Sequence, residues 1–156
     1  MGGVKMANQV EQGLTEEMLP LLQKERYVTI ATVDFEKGIP NVNAISWLYA
    51  VTLQKIRFSI DNRSRIIENI KANEGVVITL IAKGSTYSIT GSARIVTEKM
   101  VGVPLKLALV ELEVNEVRDV MFYGAKMIKE PSYEKTYDPE AAAKLDRQVM
   151  EALKKG

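Results

Sequence analysis

The strongest constraint on the fold is a series of strand-period segments joined by connections too short for anything but antiparallel pairing. Tyr27-Val28-Thr29-Ile30-Ala31-Thr32-Val33 is rich in β-branched residues and holds neither glycine nor proline. The following Asp34-Phe35-Glu36-Lys37-Gly38 reads as a turn. Residues 41–49 then alternate, with Val42, Ala44, Ser46 and Leu48 on one face and Asn43, Ile45, Trp47 and Tyr49 on the other. A third strand, residues 56–60, follows after a short link. A parallel crossover needs a dozen or more residues, so these three strands make an antiparallel meander.

Ser64 is a good N-cap for a helix that buries Ile66, Ile67 and Ile70 and stops near Asn73-Glu74-Gly75. Residues 76–81 form a near-continuous apolar run, the pattern of a strand covered on both faces. Beyond a turn at Lys83-Gly84-Ser85, Tyr87, Ile89, Ala93 and Ile95 oppose Thr86, Ser88, Thr90, Ser92 and Arg94. Gly91 interrupts the apolar side, which predicts a bulge or a close backbone approach. In residues 107–117 the apolar Ala108, Val110, Leu112 and Val114 oppose Glu111, Glu113 and Asn115, and the carboxylates of Glu111 and Glu113 are expected in solvent. An earlier short helix is expected from Thr15, with Met18, Leu21 and Leu22 as its stripe. Asp138-Pro139 opens a last one, with Ala141, Leu145 and Val149 recurring every four residues. Six strands with two or three short helices define a small, mainly-β antiparallel barrel with peripheral helices. It is expected as a single domain over residues 1–156, with the barrel at about 27–117 and the C-terminal helix at about 138–154.

Function is narrowed by what is missing. The chain has no cysteine and no histidine, which excludes a thiolate nucleophile, an imidazole base, and His- or Cys-ligated metal, iron–sulfur or haem sites. No metal is expected, and any chemistry falls to a cofactor. Twenty-one basic against 20 acidic residues leave a net charge of +1, so no global field favours nucleic acid or an anionic membrane. The opening Met1-Gly2-Gly3-Val4-Lys5-Met6 lacks the apolar core of a secretory leader, and a cytoplasmic location is expected.

One segment carries chemistry. Arg63-Ser64-Arg65 joins a strand end to a helix start, where backbone N–H groups, a hydroxyl and two guanidinium groups can converge on a phosphate monoester. The same residues also read as a Ser cap flanked by solvated arginines. Trp47 and Tyr49 share a strand face as core or interface aromatics. Thr86 and Ser88 are polar groups able to bond a heterocycle.

Three further stretches complete a pattern: Pro40-Asn41-Val42-Asn43-Ala44-Ile45-Ser46, then Ile56-Arg57-Phe58-Ser59-Ile60-Asp61-Asn62-Arg63-Ser64-Arg65, then Asn69-Ile70-Lys71-Ala72-Asn73 before the run Val76-Val77-Ile78-Thr79-Leu80-Ile81. In this order they resemble the pyridoxamine 5′-phosphate oxidase-like family of FMN-binding split β-barrels, over about residues 27–96. The resemblance implies a six-stranded antiparallel split barrel that forms a homodimer and binds FMN, ahead of FAD or the deazaflavin F420. Relatives that bind haem rely on histidine, which is absent here. It implies that Asn43, Ala44, Ile45 and Ser46 lie beside the flavin ring, and that Ser59, Ile60, Ser64 and Arg65 hold the ribityl chain and phosphate. Thr86 would reach the flavin across the dimer. The family often carries a basic residue where Asn43 stands and a lysine where Ile66 stands, which leaves Arg65, with Arg63, to compensate. The C-terminal Trp- and Arg-containing segment of the oxidase proper has no counterpart, so pyridoxamine phosphate oxidation itself is not expected. The implied function is a flavin-dependent oxidoreductase acting on a small molecule or an electron partner. The alternatives are a non-catalytic flavin or ligand carrier and a cofactor-free interaction module. No catalytic residue is assigned; Ser46 and Tyr87 are the hydroxyls considered as proton donors.

Overall fold

The computed structural model describes residues 10–156. The Met1–Met6 stretch, read above for a leader, lies outside them. Among the described residues eight strands occur: β1 Val10–Glu11, β2 Val28–Val33, β3 Pro40–Ile45, β4 Leu48–Thr52, β5 Lys55–Asp61, β6 Gly75–Ala82, β7 Ser85–Thr97 and β8 Leu107–Asp119. Helix α1 spans Arg65–Ala72 and α2 spans Pro139–Lys155. All strand pairs are antiparallel, in the order β3-β2-β6-β7-β8-β5-β4, with β1 beside β8.

The two ends of that order, β3 and β4, follow each other in the chain with only Ser46 and Trp47 between them. The sheet must therefore curl until its ends meet, which makes a barrel split at that seam. Here the structure departs from the single strand expected over residues 41–49. The two halves pair with different neighbours, β3 with β2 and β4 with β5, so the ladder breaks between them. That break and the two-residue β1 account for eight strands where six were expected.

Three other expectations change. The predicted helix at Thr15 is a turn leading to one 3-10 turn, Pro20–Leu22. Thr15 does cap, accepting from the Met18 N–H at 3.2 Å, but Pro20 has no N–H with which to continue an α-helical ladder. Strand β6 is buried on one face only: Val76, Ile78 and Leu80 are inside, while Val77, Thr79 and Ile81 are half-covered. The buried stripe of α2 runs through Ala142, Val149 and Leu153, and Ala141 is exposed, because two turns of helix span about seven residues and so bring Ala142 rather than Ala141 under Val149.

Inside the barrel Phe58, Ile30, Leu48, Ile78, Ile89 and Leu112 are fully buried. Helix α2 covers the outside of β4, β5 and β8, so Trp47, Tyr49, Leu107 and Leu109 pack against Val149 and Leu153 in a second core. This is why β8 is buried continuously from Leu107 to Leu112. The expected exposure of Glu111 is overturned as well: it lies buried on the outer face of β8 between Arg57 and Arg94. The bulge predicted at Gly91 is present: the β7–β8 register shifts between Thr90 and Gly91.

Candidate functional site

Where β3 gives way to β4, and where β5 runs into α1, the chain leaves a cleft of about 340 Å³. Seven of the ten residues expected at the cofactor line it: Asn43, Ala44, Ile45 and Ser46 from the seam, and Ser59, Ile60 and Ser64 from the β5–α1 junction. Strand β3 is an edge strand with Val42, Asn43 and Ala44 exposed, so this side of the barrel is open. Larger hollows lie elsewhere, such as the groove of about 690 Å³ between the end of α1 and β7. The seam cleft is distinguished by an orphaned atom. Ser59 is 2% exposed and its Oγ has no hydrogen-bond partner, the one such buried side-chain atom among the described residues. A buried hydroxyl without a partner costs roughly 1–3 kcal/mol, and a bound ligand would relieve that cost.

Local structure holds the junction in place. Ser64 caps α1, its Oγ accepting from the Ile66 N–H at 3.1 Å. Asn69, buried on α1, donates to Thr32 Oγ1 at 2.9 Å and Asn41 Oδ1 at 2.8 Å, and accepts from the Phe35 N–H at 2.9 Å. These three bonds fix α1 against β2, β3 and the turn between them.

Both arginines flank the Ser64 cap, but each is engaged by carboxylates: Arg63 in an exposed pair and Arg65 in a half-exposed one. Arg63 folds back onto Asp61, with Nη2 3.1 Å from Oδ2, in an exposed pair. Its guanidinium holds the Asp61 carboxyl below the ordinary value. Arg65 donates through Nε to Asp34 Oδ2 at 2.9 Å and through Nη2 to Glu36 Oε1 at 2.8 Å, and sits 4.7 Å over the Phe35 ring. Asp34 is buried, and also accepts from the Glu36 and Lys37 N–H groups at 2.9 Å each. The Arg65 guanidinium, with those amides, holds the Asp34 carboxyl well below the usual carboxylate range. Neither arginine lines the cleft. A sequence cannot reveal such pairing, because Asp34 lies 31 residues from Arg65.

Arg65→Ala should therefore lower the melting temperature at pH 7 by several degrees even without ligand, where a free surface arginine would barely register. The sign of the pH dependence follows from Asp34. Its folded pKa is depressed, so the stabilisation is complete above the unfolded value of about 3.9 and is lost as pH falls below it. The gap between wild type and variant should narrow as melting curves are taken from pH 7 to below pH 4.

Thr86 also lies off the cleft. It is half-buried on the outer face of β7, donating to Met121 Sδ at 3.6 Å. Tyr87 points into the barrel, 3% exposed and remote from the cleft, so of the two hydroxyls considered as proton donors only Ser46 is at the site. Ser46 Oγ donates to Glu25 Oε2 at 2.5 Å.

Four lining residues were not foreseen: Trp47, Asp61, Ile66 and Lys135. Lys135 comes from the irregular segment between β8 and α2. Its ammonium is 2.7 Å from Glu25 Oε2 and 3.1 Å from Asp146 Oδ1. Burial pushes its pKa down, but the two carboxylates outweigh that and raise it. Trp47 Nε1 donates to Asp146 Oδ1 at 2.9 Å, closing the cluster. Nothing in the local sequence marks Lys135, whose partner Glu25 lies 110 residues away.

A split barrel of this topology, with a cleft at the seam and a capped helix beside it, defines the class of protein. The family model for pyridoxamine 5′-phosphate oxidase matches residues 14–121, well over half the chain, and the chain belongs to that family. Solved structures agree on the fold. A candidate pyridoxamine 5′-phosphate oxidase from Lactobacillus delbrueckii superposes with a TM-score of 0.60 at 20% identity, over 72% of this chain and 98% of that one. A protein named F420 reductase gives 0.56 at 21% identity, over 67% and 98%. The heme storage protein HutZ from Vibrio cholerae gives 0.52 at 16% identity, over 70% and 96%. No curated protein matches the chain. Among the described residues no helix is long and apolar enough to cross a membrane.

Proposed function

We propose that this chain binds FMN in the seam cleft and works as a flavin-dependent oxidoreductase on a small molecule or an electron partner. The observation that carries this reading is the unpartnered Ser59 Oγ beside the capped start of α1. A phosphate or ribityl oxygen is the kind of group that would satisfy it. Ser59 and Ser64 would hold that end of the ligand. The Arg63–Asp61 pair is exposed and screened by solvent, so a dianion can recruit Arg63 without disturbing the fold. The open wall of Ala44, Ile45 and Trp47 offers the ring an apolar surface. When bound, the flavin supplies hydride or electron transfer, and the protein binds, orients and shields it. The half-covered outer face of β6 and β7, with Thr86 on it, suits a second copy of the chain that closes the open side.

The purified protein reconstituted with FMN should show bound-flavin absorption near about 450 nm. Ser59→Ala then separates ligand contact from structure. Losing one hydrogen bond should weaken FMN roughly 2- to 12-fold, while the ligand-free protein should melt no lower than wild type, because an unsatisfied hydroxyl is removed. No binding of FMN, FAD or F420 at about 100 μM would refute the reading. A Ser59→Ala variant that loses stability but keeps its FMN affinity would place that hydroxyl outside the ligand site.

A further inference from the structure

We propose that Lys135 is the residue that reads the ring of the bound flavin, donating a hydrogen bond to a neutral carbonyl oxygen on it; this rests on the flavin reading above. An ammonium has three N–H donors. Two are engaged by Glu25 and Asp146, and the third has no protein partner among the described residues. Both anchoring carboxylates are themselves tied, Glu25 by the Ser46 hydroxyl and Asp146 by the Trp47 indole N–H. The ammonium is thus fixed at the cleft wall, three-quarters buried, with Nζ 5.8 Å from the centroids of the Trp47 and Tyr133 rings. An ordinary surface lysine is mobile and solvated; this one is pre-positioned with a donor to spare.

Charge selects the kind of acceptor. Two carboxylates face one ammonium in the cluster, so an incoming phosphate dianion would meet a net negative charge. A neutral carbonyl does not. The phosphate has its own place at the β5–α1 junction, where the first-turn N–H groups of α1 and the Ser59 and Ser64 hydroxyls lie. Lys135 instead shares its wall with Ile45 and Trp47, the surface suited to a flat, mostly apolar ring.

The test compares riboflavin, which has the ring but no phosphate, with FMN on wild type, Lys135→Met and Glu130→Ala. Glu130 lies on the same segment as Lys135 and clips it elsewhere, through Arg26 at 2.9 Å and the Lys83 N–H at 3.4 Å. Lys135→Met should weaken riboflavin and FMN by the same factor, roughly tenfold or more. Glu130→Ala should leave both affinities within about twofold. Unchanged riboflavin binding in Lys135→Met, or a loss confined to FMN, overturns the proposal. Equal losses in Lys135→Met and Glu130→Ala also overturn it, by showing that the segment only closes the site. If wild type binds neither ligand, the flavin reading itself fails and this proposal with it. That outcome alone leaves wild type silent.

Discussion

Gly91→Ala should destabilise the protein by about 4 kcal/mol or more, among the largest effects a single substitution produces. The two longest strands, β7 and β8, pair across the bulge, and a methyl group on residue 91 would collide with the Glu113 carbonyl. The main obstacle is the Glu113 backbone, with the Leu112 side chain also close, so moving a side chain aside does not relieve the clash. Relief requires separating the strands, which breaks ladder hydrogen bonds on both sides of the register shift between Thr90 and Gly91. For a chain of this length the melting temperature should fall by roughly 8–16 °C, since about 1 kcal/mol moves it by 2–4 °C. Chemical denaturation gives the free energy directly. A cost below about 1 kcal/mol would mean that the crossing yields and that the glycine is not required there.

The second large effect is expected at Glu111. It takes two guanidinium groups, Arg57 Nε at 3.3 Å and Arg94 Nη2 at 2.9 Å, from a position 8% exposed. Arg57 in turn donates to the last carbonyls of α2, Leu153 at 3.2 Å and Lys154 at 3.4 Å. Glu111→Ala leaves Arg57 without its carboxylate beneath the helix end, at a cost of about 3 kcal/mol or roughly 6–12 °C. Hydrogen exchange should rise along α2 in particular, because Arg57 is a link between that helix and β5. Since α2 carries Asp146, the loss reaches the Lys135 cluster at the cleft. The pH dependence separates charge from shape. Burial pushes the Glu111 carboxyl up, yet the hydrogen bonds from Arg57 and Arg94 outweigh it and hold the group below its ordinary value. The depressed value means that this stabilisation is present above about pH 4.3 and is lost as pH falls. Glu111→Gln should therefore differ from wild type most at neutral pH and converge with it in acid. A constant difference across that range would show that shape, not charge, holds the site.

Much of the barrel was legible in the sequence because its signals are local. Alternation in β2 and β7, the Ser64 cap of α1, the Asp138 cap of α2 and the Gly91 bulge each depend on neighbours a few residues away. The ordered stretches around Asn43–Ser46 and Ser59–Arg65, through the resemblance they carry, pointed to seven residues that line one cleft, where the end of β3 meets the β5–α1 junction. Tertiary structure alone decided the rest. The break at Ser46–Trp47 exists because the sheet closes on itself, and closure is a property of all the strands together. Glu111 is buried because Arg57 from β5 and Arg94 from β7 close over it from the neighbouring strands, which no alternation within β8 could announce. Arg65 is bound to Asp34 across 31 residues, and Lys135 to Glu25 across 110 and to Asp146 across 11. Charges find partners in space rather than along the chain, so the cation that lines the cleft came from a segment without regular structure and left no local trace.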